Sequence, residues 1–150
     1  MKVLIILFIA FIAASAICRI VSGSWELATS GNIAMCLMLC FTALGHFKFA
    51  QGMAAMLPDG VPFRKGLVYF TGYAEIAMGV ALLFPLLRHA VGILLIVFFV
   101  LVLPANIYAA VRHINYETGE LDGKGVGYLW IRVPMQVVFI VWVLYFSVGW

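Results

Sequence analysis

The chain has 150 residues, of which 66% are apolar and 10% charged, with a formal net charge of +3. Soluble domains carry roughly 45–50% apolar and about 25% charged residues, so a water-soluble enzyme core is excluded and a lipid bilayer is the solvent for most of this sequence. The few basic residues sit at the ends of apolar runs, a pattern that orients a membrane protein and gives no sign of nucleic-acid binding.

Five apolar runs reach the about 20 residues that a membrane-spanning helix needs. They cover residues 3–22, 32–54, 66–87, 89–112 and 128–148. All are predicted to be helices, because an open strand edge cannot be satisfied in lipid. The first run has two readings. Met1-Lys2, an apolar stretch and Ala14-Ser15-Ala16 have the order of a signal peptide. The apolar run nevertheless continues past Arg19 to spanning length, which favours a retained helix. The division expected is an N-terminal transmembrane helix or signal-anchor over residues 1–24 and a four-helix membrane domain over residues 32–150.

The second run carries Cys36 and Cys40 one helical turn apart, and Cys18 lies in the first. Bridging two cysteines within one helix would strain it, so buried structural thiols are the favoured reading over a redox pair. No histidines stand near them to complete a zinc set, and no metal site is expected. Pro58-Asp59-Gly60 then supplies a turn before the third run.

The third run holds Glu75, its only acidic residue. A carboxylate at bilayer depth costs a few kcal/mol or more, so it needs a partner or a role. Gly72, Glu75 and Gly79 follow i, i+3, i+7 spacing and share one helix face. Small residues let membrane helices approach closely, which puts Glu75 on a packing face. After a corner at Leu87-Arg88-His89, the fourth run contains Pro104, predicted to kink it and free the carbonyl of Val100, with Asn106 close enough to satisfy a freed group. Residues 112–127 form the longest polar stretch and read as a flexible surface loop with Glu117, Glu120, Asp122 and Lys124. The fifth run brings Arg132 and Gln136. Trp25, Trp130 and Trp150 lie near run ends as interface anchors.

With the N-terminus inside, Lys2, Lys48, Arg64, Lys65, Arg112, Lys124 and Arg132 fall on or near the cytoplasmic side, and only Arg19 and Arg88 fall outside. That bias predicts a cytoplasmic N-terminus and an external C-terminus in a cell (inner) membrane. At 1.5 Å of rise per residue, His46 lies about 12 Å from the cytoplasmic end of its run, Glu75 about 13 Å, Asn106 about 9 Å, Arg132 about 6 Å and Gln136 about 12 Å. Tyr69, Tyr73 and Tyr108 fall in the same layer, and the outer half is nearly devoid of strongly polar groups. One shared pocket is the economical reading, with Arg132 pairing Glu75 and with His46, Tyr73 and Gln136 as further donors. A ligand or quinone pocket, a proton relay and a purely structural Glu–Arg lock remain open. No H-E-x-x-H, P-loop or G-x-G-x-x-G in a βαβ setting occurs, so soluble-type catalysis is not supported.

These residues resemble the DoxX-like family of small membrane proteins. The matching pieces are Gly45-His46-Phe47, Met56-Leu57-Pro58, Leu67-Val68-Tyr69-Phe70-Thr71-Gly72, Ala74-Glu75-Ile76, Gly79 with Leu82-Leu83 and Pro85, Pro104-Ala105-Asn106-Ile107-Tyr108-Ala109, and Leu129-Trp130-Ile131-Arg132-Val133-Pro134-Met135-Gln136. Together they cover residues 32–148. The resemblance implies an all-α, four-helix membrane bundle, here with an additional N-terminal helix and a longer charged loop. It also implies the company of membrane oxidoreductase assemblies, such as an archaeal thiosulfate:quinone oxidoreductase, with His46, Glu75, Asn106, Arg132 and Gln136 as recurring polar positions.

Three functions are open at this point. The first is an accessory protein or subunit of a membrane redox or stress-related assembly, with a membrane or soluble redox partner protein and a quinone or lipid-like ligand. The second is an assembly or chaperone-like protein that uses the loop as its partner surface. The third is a proton-coupled carrier, for which a homodimer would have to supply more helices than one chain holds.

Overall fold

A computed structural model describes residues 2–149. Among them every regular element is helical: α1 (Lys2–Ser22), α2 (Leu27–Lys48), α3 (Ala50–Ala55), α4 (Arg64–Ala81), α5 (Arg88–Val111) and α6 (Leu129–Val143). A short 3₁₀ turn, Val126–Tyr128, leads into α6, and a π turn, Leu144–Val148, closes it. Four stretches are long and apolar enough to cross a membrane: α1, α2, α5, and α6 with its flanking turns. The chain is an all-α membrane bundle.

The expected third span is the exception. It ends at Ala81, six residues early, and residues 82–87 continue as tight turns closed by Leu83 N–H to Val80 O and Leu87 N–H to Phe84 O. Pro85 explains the stop, since a proline disfavours helical geometry at the residue before it and donates no backbone hydrogen bond. With 18 residues α4 is about 27 Å long, close to the hydrocarbon thickness, but Arg64, Lys65 and Glu75 keep it below the apolarity of the other four. The second span also breaks early. α2 ends at Lys48, and Phe49 leaves helical geometry before the single turn and a half of α3.

The bundle is organised around α2. Half of its most apolar window is buried, against 17% for α1 and for α5. Both α1 and α4 pack extensively against α2. α4 runs antiparallel to α2 over nearly its whole length. His46 meets Val68, Thr42 meets Glu75, and Cys36 lies against Gly79. A Cβ on Gly72 would come within 2.9 Å of His46 Cβ, so this contact requires glycine, as close membrane-helix approach generally favours small residues. α5 and α6 form a second pair. α6 returns to α2 at its far end, where Trp142 Nε1 donates to Gly31 O at 3.0 Å. Phe11 of α1 packs edge-on to the same Trp142. Leu7, Met35, Met38, Leu39, Met78, Leu95, Phe139 and Val143 fill the centre. The large apolar side chains outside it, such as Ile9, Ile12, Leu94 and Leu101, face outward on the spans.

Candidate functional site

The polar residues expected to share one pocket fall into separate clusters, because α4 packs on α2 while α6 packs on α5. In the first cluster Glu75 is buried at 6% exposure. Thr42 Oγ1 donates to its Oε2 at 2.9 Å, and His46 Nε2 stands 3.5 Å from its Oε1. His46 Nδ1 lies 3.1 Å from Thr71 Oγ1 and 3.2 Å from Val68 O, and Thr71 Oγ1 is 2.8 Å from the same carbonyl. Both protonation states of the ring are therefore accommodated. Neutral His46 accepts from the Thr71 hydroxyl at Nδ1. Charged His46 donates to Val68 O while the hydroxyl turns away. The expected Glu75–Arg132 pair does not form. The glycine face that carries Glu75 is turned to α2, and Thr42 and His46 take the carboxylate.

Arg132 belongs to the second cluster. Its Nη1 donates to Asn106 Oδ1 at 2.7 Å. Its guanidinium lies over two rings, 5.4 Å from the centroid of Tyr116 and 5.1 Å from that of Tyr128. Lys124 Nζ stands 5.4 Å from the same Tyr128 ring. Such contacts stabilise a cation by roughly 0.5–2 kcal/mol. The ion pairs among the described residues are His46–Glu75 and Arg64–Asp59, so neither Arg132 nor Lys124 has a carboxylate in contact. Asn106 also donates to Val102 O, the carbonyl one turn back in its own helix. Gln136, buried on α6, donates to Phe99 O. Neither side chain bonds the Val100 carbonyl that Pro104 was expected to free: Asn106 takes Val102 O and Gln136 ties α6 to α5 at Phe99 O.

The three tyrosines expected in the shared layer lie elsewhere. Tyr69 stacks on Phe47 at 6.1 Å, and Tyr73 meets the same ring edge-on at 5.0 Å while remaining largely exposed on the outer face of α4. Tyr108 carries Arg112 over its ring. Trp25 and Trp130 are exposed near helix ends; Trp150 lies outside the described residues.

The charged loop is folded, contrary to the flexible loop its glycines suggest. α5 ends with Ile114 N–H on Ala109 O and His113 N–H on Ala110 O, and His113 takes the left-handed conformation (φ 54°) usually left to glycine at this position. Gly123 N–H then bonds His113 O, and Asn115 N–H bonds Glu120 O. The loop packs on α3 so closely that a Cβ on Gly52 would overlap the Tyr116 carbonyl. Burial, then the hydrogen bond to Glu117, raises the Tyr116 hydroxyl above the ordinary tyrosine pKa of 10.0. Beneath the loop lies a cavity of about 250 Å³ lined by Asn106, Tyr116, Tyr128 and Arg132, with Lys124, Glu117 and Asp122 at its charged wall and Met56, Ala109, Ala110, Ile114 and Leu129 supplying apolar surface.

A third polar group sits at the opposite end of the bundle, where few polar groups were expected. Asn32 is fully buried. Its amide nitrogen donates to Ala28 O and Phe146 O, both at 2.8 Å, and its oxygen accepts from Ser147 Oγ at 2.7 Å. Arg88 joins α5 to this end, with Nε donating to Leu82 O. Thr42 and Thr71 were legible one turn from His46 and Glu75. Tyr116, Tyr128 and Asn32 carried no comparable signal.

Residues 35–147 match the family model described as "Domain of unknown function (DUF8561)". The chain belongs to this family. Neither a curated protein nor a solved structure matches it. The matched span takes in α4, α5, α6 and the last 14 of the 22 residues of α2, and with them the Glu75 and Arg132 clusters of this DUF8561 protein. α1 lies outside it.

Proposed function

We propose that this membrane protein binds the polar head of a membrane-soluble amphiphile in the Arg132 cavity and serves as an accessory protein or subunit of a membrane assembly. One observation carries the reading. Arg132 is a half-buried cation with no carboxylate partner, held in place by Asn106, Tyr116 and Tyr128, and it opens on a cavity. A buried charge without a counter-charge is costly unless a ligand supplies one or strong hydrogen-bond acceptors surround it. The cavity is smaller than the roughly 300–1,000 Å³ of drug-sized sites, so it suits a head group while the tail stays in lipid. A quinone ring or a lipid head both offer oxygens to the guanidinium. The DoxX-like resemblance adds support for a quinone-linked redox setting in a cell membrane. The Glu75 cluster, whose two carboxylate oxygens are both engaged within the protein, is read as a lock between α2 and α4.

The test is extraction of amphiphiles that co-purify with the protein from native membranes in mild detergent. Arg132→Gln should lose the bound species, and Glu75→Gln should keep it. Equal amounts on wild type and Arg132→Gln would overturn the proposal.

A further inference from the structure

Resting on that reading, we infer that the head group in the Arg132 cavity is a singly charged phosphodiester. Arg132 and Lys124 approach the same Tyr128 ring, at 5.1 and 5.4 Å, and neither touches a carboxylate. A neutral carbonyl would satisfy one hydrogen bond and leave the half-buried Arg132 without an anion in contact. A phosphate oxygen pair satisfies a guanidinium in bidentate fashion and supplies that anion, with the exposed Lys124 near the same ring to favour it. Basic pockets between membrane helices bind phospholipid heads on this principle.

Three further features agree. The cavity reaches the start of α6, where Tyr128 and Leu129 line it, so the positive end of a 15-residue helix faces the ligand. Trp130, exposed beside it at 83%, marks the membrane–water boundary where phosphates lie. Met56, Ala110 and Ile114 give the glycerol and first acyl carbons an apolar wall.

Glu117 and Asp122 also line the cavity without touching Arg132 or Lys124. Glu117 already accepts from the Tyr116 hydroxyl at 3.0 Å. The two acids repel a second negative charge, which disfavours a dianionic phosphomonoester, while the Arg132 guanidinium still lacks an anion in contact.

A membrane phospholipid and a soluble glycerophosphodiester share this chemistry, and one titration separates them. The full-length protein in detergent would be titrated with short-chain phosphatidylethanolamine, soluble glycerophosphoethanolamine, glycerol phosphate and a short-chain quinone, reading affinity by calorimetry. The phosphodiester lipid should bind at least tenfold more tightly than the quinone or the phosphomonoester. Lys124→Gln should weaken it roughly tenfold or more, as expected for loss of a charge-assisted contact, and Lys124→Arg should restore it. Glycerophosphoethanolamine binding as tightly as the lipid supports the inference with a soluble ligand as the source. Quinone binding as tight as the lipid, unaffected by Lys124→Gln but lost in Arg132→Gln, overturns the phosphodiester and leaves the amphiphile site standing. Lipid and quinone binding that both survive Arg132→Gln overturns the two together.

Discussion

Gly52→Ala probes the loop that covers the Arg132 cavity without touching any cavity side chain. An ideal Cβ at this position would overlap the carbonyl oxygen of Tyr116, and the backbone carbon of Glu117 would be 3.0 Å away. The obstruction is backbone, so no side-chain rotation relieves it. The loop must lift from α3, or α3 must move. Overpacking of this kind costs typically 1–3 kcal/mol. The loop is joined to the bundle by backbone hydrogen bonds of His113 and Ile114 to the end of α5 and by the contacts of Tyr116 with Gly52, Phe49 and Arg132, so the cost should appear as local opening and not as loss of the helices. An opening equilibrium shifted by 1–3 kcal/mol rises about 5- to 150-fold. Limited trypsin cleavage at Arg112 and Lys124 reads that population when reclosing is faster than cleavage. Gly127→Ala is the control, because a Cβ there meets nothing within 4 Å. Tyr116 covers one face of Arg132, so the ligand should also bind more weakly to the Gly52 variant. Cleavage rates indistinguishable from wild type in Gly52→Ala would refute the loop packing and the role given to Tyr116 with it.

Two further experiments test the remaining clusters. A double-mutant cycle of Thr42→Val with Glu75→Gln should show coupling near the about 0.6–1.7 kcal/mol measured between membrane helices, while Glu75→Gln with Arg132→Gln should be additive within about 0.5 kcal/mol; both come from unfolding in mixed detergent, and coupling of Glu75 to Arg132 would contradict the observed split. Asn32→Ala removes the donor to Phe146 O and leaves Ser147 without its acceptor, so a loss of about 1–3 kcal/mol is expected. An unchanged denaturation midpoint would show that the π turn does not depend on Asn32.

The parts of this structure that could be read from the sequence are those governed by the solvent. Apolar length fixes α1, α5 and α6 to within a few residues, and the Gly72–Glu75–Gly79 stripe correctly marks a packing face, because both follow from what lipid tolerates. The partner across that face was not legible. Depth places Arg132, His46 and Gln136 in the same half of the bilayer, yet a layer is two-dimensional, and only the packing order of the helices decides which of them meet. α4 takes α2 as its neighbour, so His46 and Thr42 reach Glu75 and Arg132 is left to α5. The loop failed for a different reason. Its glycines at 119, 123 and 125 suggest mobility, but Gly119 and Gly125 supply positive φ angles and Gly123 lets the backbone close on His113 O. The contact that orders it, Gly52 against Tyr116, joins residues far apart in sequence and leaves no local pattern.

The split of the polar layer bears directly on where function lies. Two ionisable groups at membrane depth looked alike in the sequence, each in need of a partner. In the folded protein Glu75 has three polar side chains around it: Thr42 and His46 hold its oxygens, and Thr71 holds the far nitrogen of His46. A ligand entering there would have to displace bonds already made. Arg132 has one hydrogen bond, to Asn106, and two ring faces. Those contacts fix the direction of the guanidinium and leave its charge uncompensated beside open volume. Preorganised donors with unspent capacity can exchange their hydration for a ligand at little reorganisation cost, and saturated ones cannot. On that ground the proposed binding site is assigned to Arg132, beneath the loop, and the Glu75 cluster, bonded between α2 and α4, is proposed as a lock on their register.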